Sequence, residues 1–164
     1  MTRMSRLVAA AALLLSAAPV LADGPLRFFP LTPCRLIDTR LSNSVNGGPA
    51  LLGKASRDFQ VQGMCGIPVN AKAVAVNATI VNPQTEGYIT LYPSGITRPL
   101  AANLNFKAAE PALGNGAIVP LSTNALDLTV YLLLGGNPGQ YTANLVVDGT
   151  GYFCKVDVNG ACIP

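Results

Sequence analysis

Lys72-Ala-Val-Ala-Val-Asn-Ala-Thr-Ile-Val81 runs with the two-residue period of a β-strand. Val74, Val76, Ala78 and Ile80 fall on one face, and Ala73, Ala75, Asn77, Thr79 and Val81 on the other. Both faces are mostly apolar or small, which predicts a central strand covered on two sides. Working outward, further strands are predicted at Gly87–Tyr92, Leu104–Phe106, Ala117–Leu121, Leu126–Leu134, Tyr141–Val147 and Gly151–Val158, with weaker ones at Arg35–Ile37 and Arg57–Val61. Turn chemistry separates them: Asn46-Gly-Gly-Pro49, Asn82-Pro83, Pro93-Ser-Gly95, Gly135-Gly-Asn-Pro-Gly139 and Asn159-Gly160. After Ala22 no window repeats apolar side chains at helical spacing without a Pro or Gly break. This cadence predicts an all-β chain folded as a single β-sandwich, jelly-roll-like, with about eight to nine strands. The weakest stretch, Leu41 to Ala55, is rich in Ser, Asn, Gly and Pro and reads as a long surface loop, of the kind that either binds or merely connects.

The N-terminus reads differently. Arg3 and Arg6 precede an uncharged apolar run from Leu7 to Val20 and a small-residue exit at Ala22, the plan of a signal peptide over residues 1–22. The run is too short, and too interrupted by Ser16 and Pro19, for a lasting membrane span. The longest later apolar run, Val130 to Leu134, is strand-sized, so no transmembrane anchor is expected after signal removal. The secreted domain, residues 23–164, would hold roughly 140 residues, enough to bury a core unaided. Eleven basic and eight acidic side chains include Arg3 and Arg6. Without these two the balance is near neutral, which gives no electrostatic footing for nucleic acid.

Cys34, Cys65, Cys154 and Cys162 all follow the signal. An even count in an exported chain reads as two disulfides, for which three pairings exist. Cys34 with Cys65 and Cys154 with Cys162 are the local choices, the second closing a short tail (154–164) through Asn159-Gly160. The chain has no histidine and no C-x-x-C, so neither a zinc site nor any other metal or cofactor is expected.

The segment Phe29-Pro-Leu-Thr-Pro-Cys-Arg-Leu-Ile-Asp-Thr-Arg40 resembles the P-C-R-x-x-D-T-R opening of a widespread, poorly characterised bacterial secreted β-domain. Later landmarks follow in that domain's order: Cys65-Gly-Ile-Pro68, Ala73-Val-Ala-Val-Asn-Ala-Thr79, Gly87-Tyr-Ile-Thr-Leu-Tyr-Pro93, Leu104-Asn-Phe106 and the closing Val147-Asp-Gly-Thr-Gly-Tyr-Phe153. The resemblance implies a β-rich extracellular domain that occurs alone, in tandem or beside hydrolase domains. It brings no established activity and therefore no catalytic residue. It supports pairing Cys34 with Cys65, which both sit in its motifs. The chain departs from the pattern at Gly149-Thr150 and in the tail from Cys154 to Pro164.

Arg35, Asp38 and Arg40 form the densest charged cluster. In an extended strand Asp38 and Arg40 share one face and Arg35 takes the other, unless a bulge brings them together. The arginines are either a fork for carboxylate or phosphate or partners in a structural ion-pair network. Tyr88 and Tyr92 fall on one strand face, as do Tyr131 and Leu133, and the tyrosines either hold a sugar ring or pack the sheet. Asn77, Asn105, Asn115 and Asp148 are candidates for a polar pocket or for backbone satisfaction. Without histidine or a free thiol, Ser-His and Cys-His hydrolysis is excluded. A carboxylate pair among Asp38, Asp58, Glu86, Glu110, Asp127 and Asp148 remains formally open. No calcium loop of alternating acidic residues occurs near Asp148-Gly-Thr-Gly151.

The expectation is a non-catalytic secreted or extracytoplasmic module, periplasmic or on the cell surface, for structure, adhesion or assembly. The alternative is a lectin-like carbohydrate or cell-wall binding domain. The expected partners are an envelope or extracellular polymer, or a second copy reached by strand addition through residues 26–31, although that segment equally suits its own domain.

Overall fold

The structure, a computed structural model, describes residues 24–163; the expected signal peptide lies outside them. Among the described residues ten strands follow in order: β1 (Arg27–Asp38), β2 (Leu51–Leu52), β3 (Ala55–Phe59), β4 (Ala73–Val81), β5 (Gly87–Pro93), β6 (Leu104–Phe106), β7 (Ala112–Pro120), β8 (Leu128–Leu134), β9 (Thr142–Val156) and β10 (Cys162–Ile163). One sheet has the order β1-β9-β4-β7, with the two-residue β2 and β10 also on β9, and the other has the order β3-β8-β5-β6. The pairs β1/β9, β3/β8, β4/β7 and β5/β6 are nested antiparallel partners, as in one long hairpin. Rolling that hairpin adds the contacts β4/β9 and β5/β8. The result is a β-sandwich of jelly-roll topology.

The core follows from the alternation. Val74, Val76, Ala78 and Ile80 of β4 are buried opposite Ile89 and Leu91 of β5 and Leu128, Val130, Leu132 and Leu134 of β8. Each large aliphatic contributes about 1.5–3 kcal/mol by leaving water. The second face of β4 departs from expectation. Asn77 is exposed and Ala75, Thr79 and Val81 are only half-buried, so β4 is central in its sheet but covered on one side. In an antiparallel sandwich the outer face of each sheet can stay in water.

Two other boundaries change. The stretches 141–147 and 151–158, expected as separate strands, are joined in one fifteen-residue strand, β9, which begins at Thr142 and ends at Val156. Its glycines are packing positions. A Cβ on Gly149 would sit 2.9 Å from Leu36 Cδ1, and one on Gly151 would strike the Phe28 ring. A bulge against β4 accommodates the extra residue there. The weak strand at 35–37 is the end of a twelve-residue β1, which Pro30 and Pro33 had disguised. Residues 27–30 pair with β9 of the same chain. Phe29 stacks on Tyr152 with ring centroids 5.1 Å apart, so the 26–31 region is tucked onto its own domain.

Both local disulfides are present. Cys34–Cys65 joins β1 to the segment after β3, with Cα atoms 6.2 Å apart. Cys154–Cys162 closes the tail onto β9 at 5.4 Å. Among the described residues no helix is long and apolar enough to cross a membrane.

The 41–55 stretch is a pinned connection. The Arg57 guanidinium, over the Phe59 ring, donates to the carbonyls of Ser44, Val45, Gly47, Gly48 and Pro49. Asn46 Nδ2 donates to the carbonyls of Leu36 (2.9 Å) and Gln60 (2.6 Å), and its Oδ1 accepts from the Gln60 amide. Backbone polar groups that a glycine-rich loop would leave to water are thereby satisfied internally.

Candidate functional site

The opening and closing motifs meet. Arg35 and Asp148 are directly opposed in the β1/β9 ladder, and the register shift between Arg35 and Ile37 is the bulge that brings Arg35 toward Asp38. Arg35 Nε donates to Asp148 Oδ1 at 2.5 Å and Nη1 to Asp38 Oδ2 at 2.6 Å. Arg40 donates from Nε to Asp38 Oδ1 (2.8 Å), from Nη2 to Oδ2 (2.7 Å) and from its backbone amide to Oδ1 (3.1 Å). Asp38 is 4 % exposed. Hydrogen bonds from Arg40 above all, opposed by burial and assisted by Arg35, hold its carboxyl well below the usual carboxylate range. The hydrogen bond to Asp148 raises Arg35, and that to Asp38 raises Arg40. Next to this hub, buried Thr39 accepts the Leu145 amide at 2.8 Å. Both carboxylates accept arginine donors: Arg35 bridges β1 to Asp148 of β9, whereas Arg40, just beyond β1, bonds Asp38, and the two arginine side chains stay 44 % and 47 % exposed.

Three further acids, Asp127, Asp58 and Asp157, also serve the fold. Asp127, which the sequence offered only as one of six carboxylates, is fully buried. It accepts the amides of Val61 (3.0 Å) and Gln62 (2.8 Å). Burial pushes its carboxyl up, and those amides draw it partly back. Asp58 accepts the Thr129 hydroxyl at 2.5 Å. Asp157 caps its own tail turn by accepting the amides of Asn159 and Ala161. Asn115 donates to the Asn103 carbonyl, and exposed Asn77 to Thr79. Among the described residues no three His, Cys, Asp or Glu side chains are grouped so as to hold a metal ion.

The aromatic face lies on the other sheet. Tyr88 and Tyr92 do share the outer face of β5, but Tyr92 is 6 % exposed, with its hydroxyl 3.2 Å from Ser56 Oγ. Tyr92 therefore packs the sheet. The ring beside Tyr88 is Tyr131 of β8, 6.2 Å away, and the Arg98 guanidinium lies 3.7 Å over the Tyr131 ring. Sequence reading missed this pairing because β5/β8 register sets Thr90 opposite Tyr131 and Arg98 comes from the β5–β6 loop. Tyr88 separates two surface depressions. One, of about 500 Å³, is bounded by Lys54, Glu86, Leu133 and Phe106. The other, of about 310 Å³, is bounded by Leu100, Ala101, Ala102 and Asn105. An aromatic ring flanked by an amide, a carboxylate and an ammonium can take a ligand with both an apolar face and hydroxyl groups.

No protein-family model matches the chain, and comparison with curated proteins finds no match. Among solved structures the chain is similar to the coat protein dimer of Tobacco streak virus, at 11 % identity and a TM-score of 0.34, covering 76 % of this chain and 86 % of that one.

Proposed function

We propose that this protein is a non-catalytic extracytoplasmic module for structure, adhesion or assembly. The observation that carries the reading is the use made of its charged motif: Arg35 of β1 is paired with Asp148 of β9 and with Asp38, which also holds Arg40. Two disulfides fit an oxidising compartment. A second reading, lectin-like binding of an envelope or extracellular polysaccharide, is favoured by the ring of Tyr88 with Asn105, Glu86 and Lys54 around it among apolar neighbours.

Co-sedimentation with insoluble envelope polysaccharide, followed by sizing of the recovered polymer, tests both. The protein is expected in the pellet and the polymer at its original length; shortened polymer would overturn the non-catalytic reading. Tyr88→Ala is expected to weaken retention roughly tenfold by removing one stacking surface, with the thermal midpoint nearly unchanged. Equal retention by Tyr88→Ala would overturn the carbohydrate reading while leaving the module reading standing.

A further inference from the structure

Among the described residues the two main strand orders end in four edge strands, β1, β7, β3 and β6, and three of them carry recognised devices against pairing with another chain. In β1, Pro30 and Pro33 remove donors and two register shifts break the edge. β3 has only five residues, two of them the charged Arg57 and Asp58, and follows Lys54. β6 has three residues. The fourth, β7, is nine residues long, Ala112-Leu-Gly-Asn-Gly-Ala-Ile-Val-Pro120. It carries no charge, and its only proline is the last residue. It pairs with β4 through nine consecutive positions without a shift, so it is neither bulged nor turned aside. β7 is the end of its sheet. Ala112, Gly114, Asn115, Gly116 and Ile118 are exposed, Ile118 at 63 %.

A regular ladder on one side leaves every second N–H and C=O of a strand directed away from its partner. Among the described residues those groups of β7 make no backbone hydrogen bond outside the β4 ladder, and the Asn115 side chain beside them donates to the Asn103 carbonyl of the β5–β6 loop. We infer that β7 is an interface for a second copy of this chain, pairing antiparallel with the same strand about a two-fold axis near Asn115. Self-pairing in this register sets Gly114 against Gly116 of the second copy, Ala112 against Ile118, and Leu113 against Ala117. A charge-free strand presents no like-charge opposition to itself, which any charged residue at the axis would impose. The two-fold closes the assembly at a dimer with one continuous sheet of order β1-β9-β4-β7-β7-β4-β9-β1. The inference rests on the assembly reading proposed above and names its partner.

Sedimentation equilibrium of the purified protein from micromolar to millimolar concentration tests it. The wild type is expected to dimerise. Gly116→Lys with Ile118→Lys is expected to raise the dissociation constant roughly 100-fold or more, by placing ammonium groups on both sides of the axis. The own-chain environment tolerates both changes: a Cβ at Gly116 has the Val76 carbonyl oxygen, 4.0 Å away, as its nearest neighbour, and Ile118 is exposed. A second variant, Ala112→Cys with Ile118→Cys, is expected to form a covalent dimer on mild oxidation, because these positions lie too far apart within one strand to bridge each other. A wild type monomeric at millimolar concentration, a lysine variant that still dimerises, or a dimer whose cysteine variant does not cross-link would each overturn the inference. A monomer that still sediments with intact envelope polymer would refute β7 pairing alone, whereas shortened polymer would refute the module reading whatever the dimer does.

Discussion

Replacing Cys34 and Cys65 together with Ser is expected to lower the stability of the folded chain by about 3–4 kcal/mol, read from the midpoint of urea unfolding. The bridge spans a sequence separation of 31, and most of its effect lies in the unfolded chain, whose loop it keeps closed. Within that loop lie the whole 41–55 connection, β2 and β3. Arg57 and Asn46 hold the connection in the folded state, but they do nothing to limit it once the chain unfolds. Removing Cys154 and Cys162 opens a separation of only 8, and the same loop argument makes that loss the smaller of the two.

Asp127→Ala is expected to cost about 2–4 kcal/mol, by the same measurement. The carboxylate lies where β8 begins and accepts the amides of Val61 and Gln62 just after β3 ends. Its own amide donates to the Phe59 carbonyl. Truncation orphans two amides at about 1–3 kcal/mol each, and the relief of burying a charge offsets part of the loss. The two buried carboxylates also pull acid stability in opposite directions. Asp127 has a raised folded pKa, so its contribution is fully present below the unfolded carboxylate value, near pH 4, and is lost as pH rises through the folded value. Asp38 has a lowered folded pKa, so its contribution is present above the unfolded value and lost as pH falls toward the folded one.

The strands with clean alternation could be read from the sequence: β4, β5, β6 and β8 lie within a residue or two of their expected limits. β7 was expected only from Ala117 because Leu113-Gly-Asn-Gly116 has the composition of a turn. What makes it extended is nine registered partners on β4, a tertiary cause that no local pattern carries. β9 looked interrupted for the converse reason: Gly149 and Gly151 mark close approach by Leu36 and Phe28 rather than a chain reversal. The candidate residues divide in the same way. The Arg35, Asp38 and Arg40 cluster was visible, but its outcome depended on Asp148, 113 residues away, and on a bulge. Tyr88 was visible from alternation alone, whereas Tyr131 and Arg98 join it only through strand pairing and a loop that folds back. Asp127 looked like any other acid, since burial is what distinguishes it.

The opening and closing motifs of the domain are joined by the Arg35–Asp148 pair, and a double-mutant cycle on these two residues measures that joint directly. Arg35→Met, Asp148→Asn and the double variant are compared by urea unfolding. Because the side chains are 44 % and 31 % exposed, solvent screening limits the expected coupling to about 0.5–1 kcal/mol. A coupling of that size supports a structural joint between β1 and β9. Strictly additive losses would contradict it.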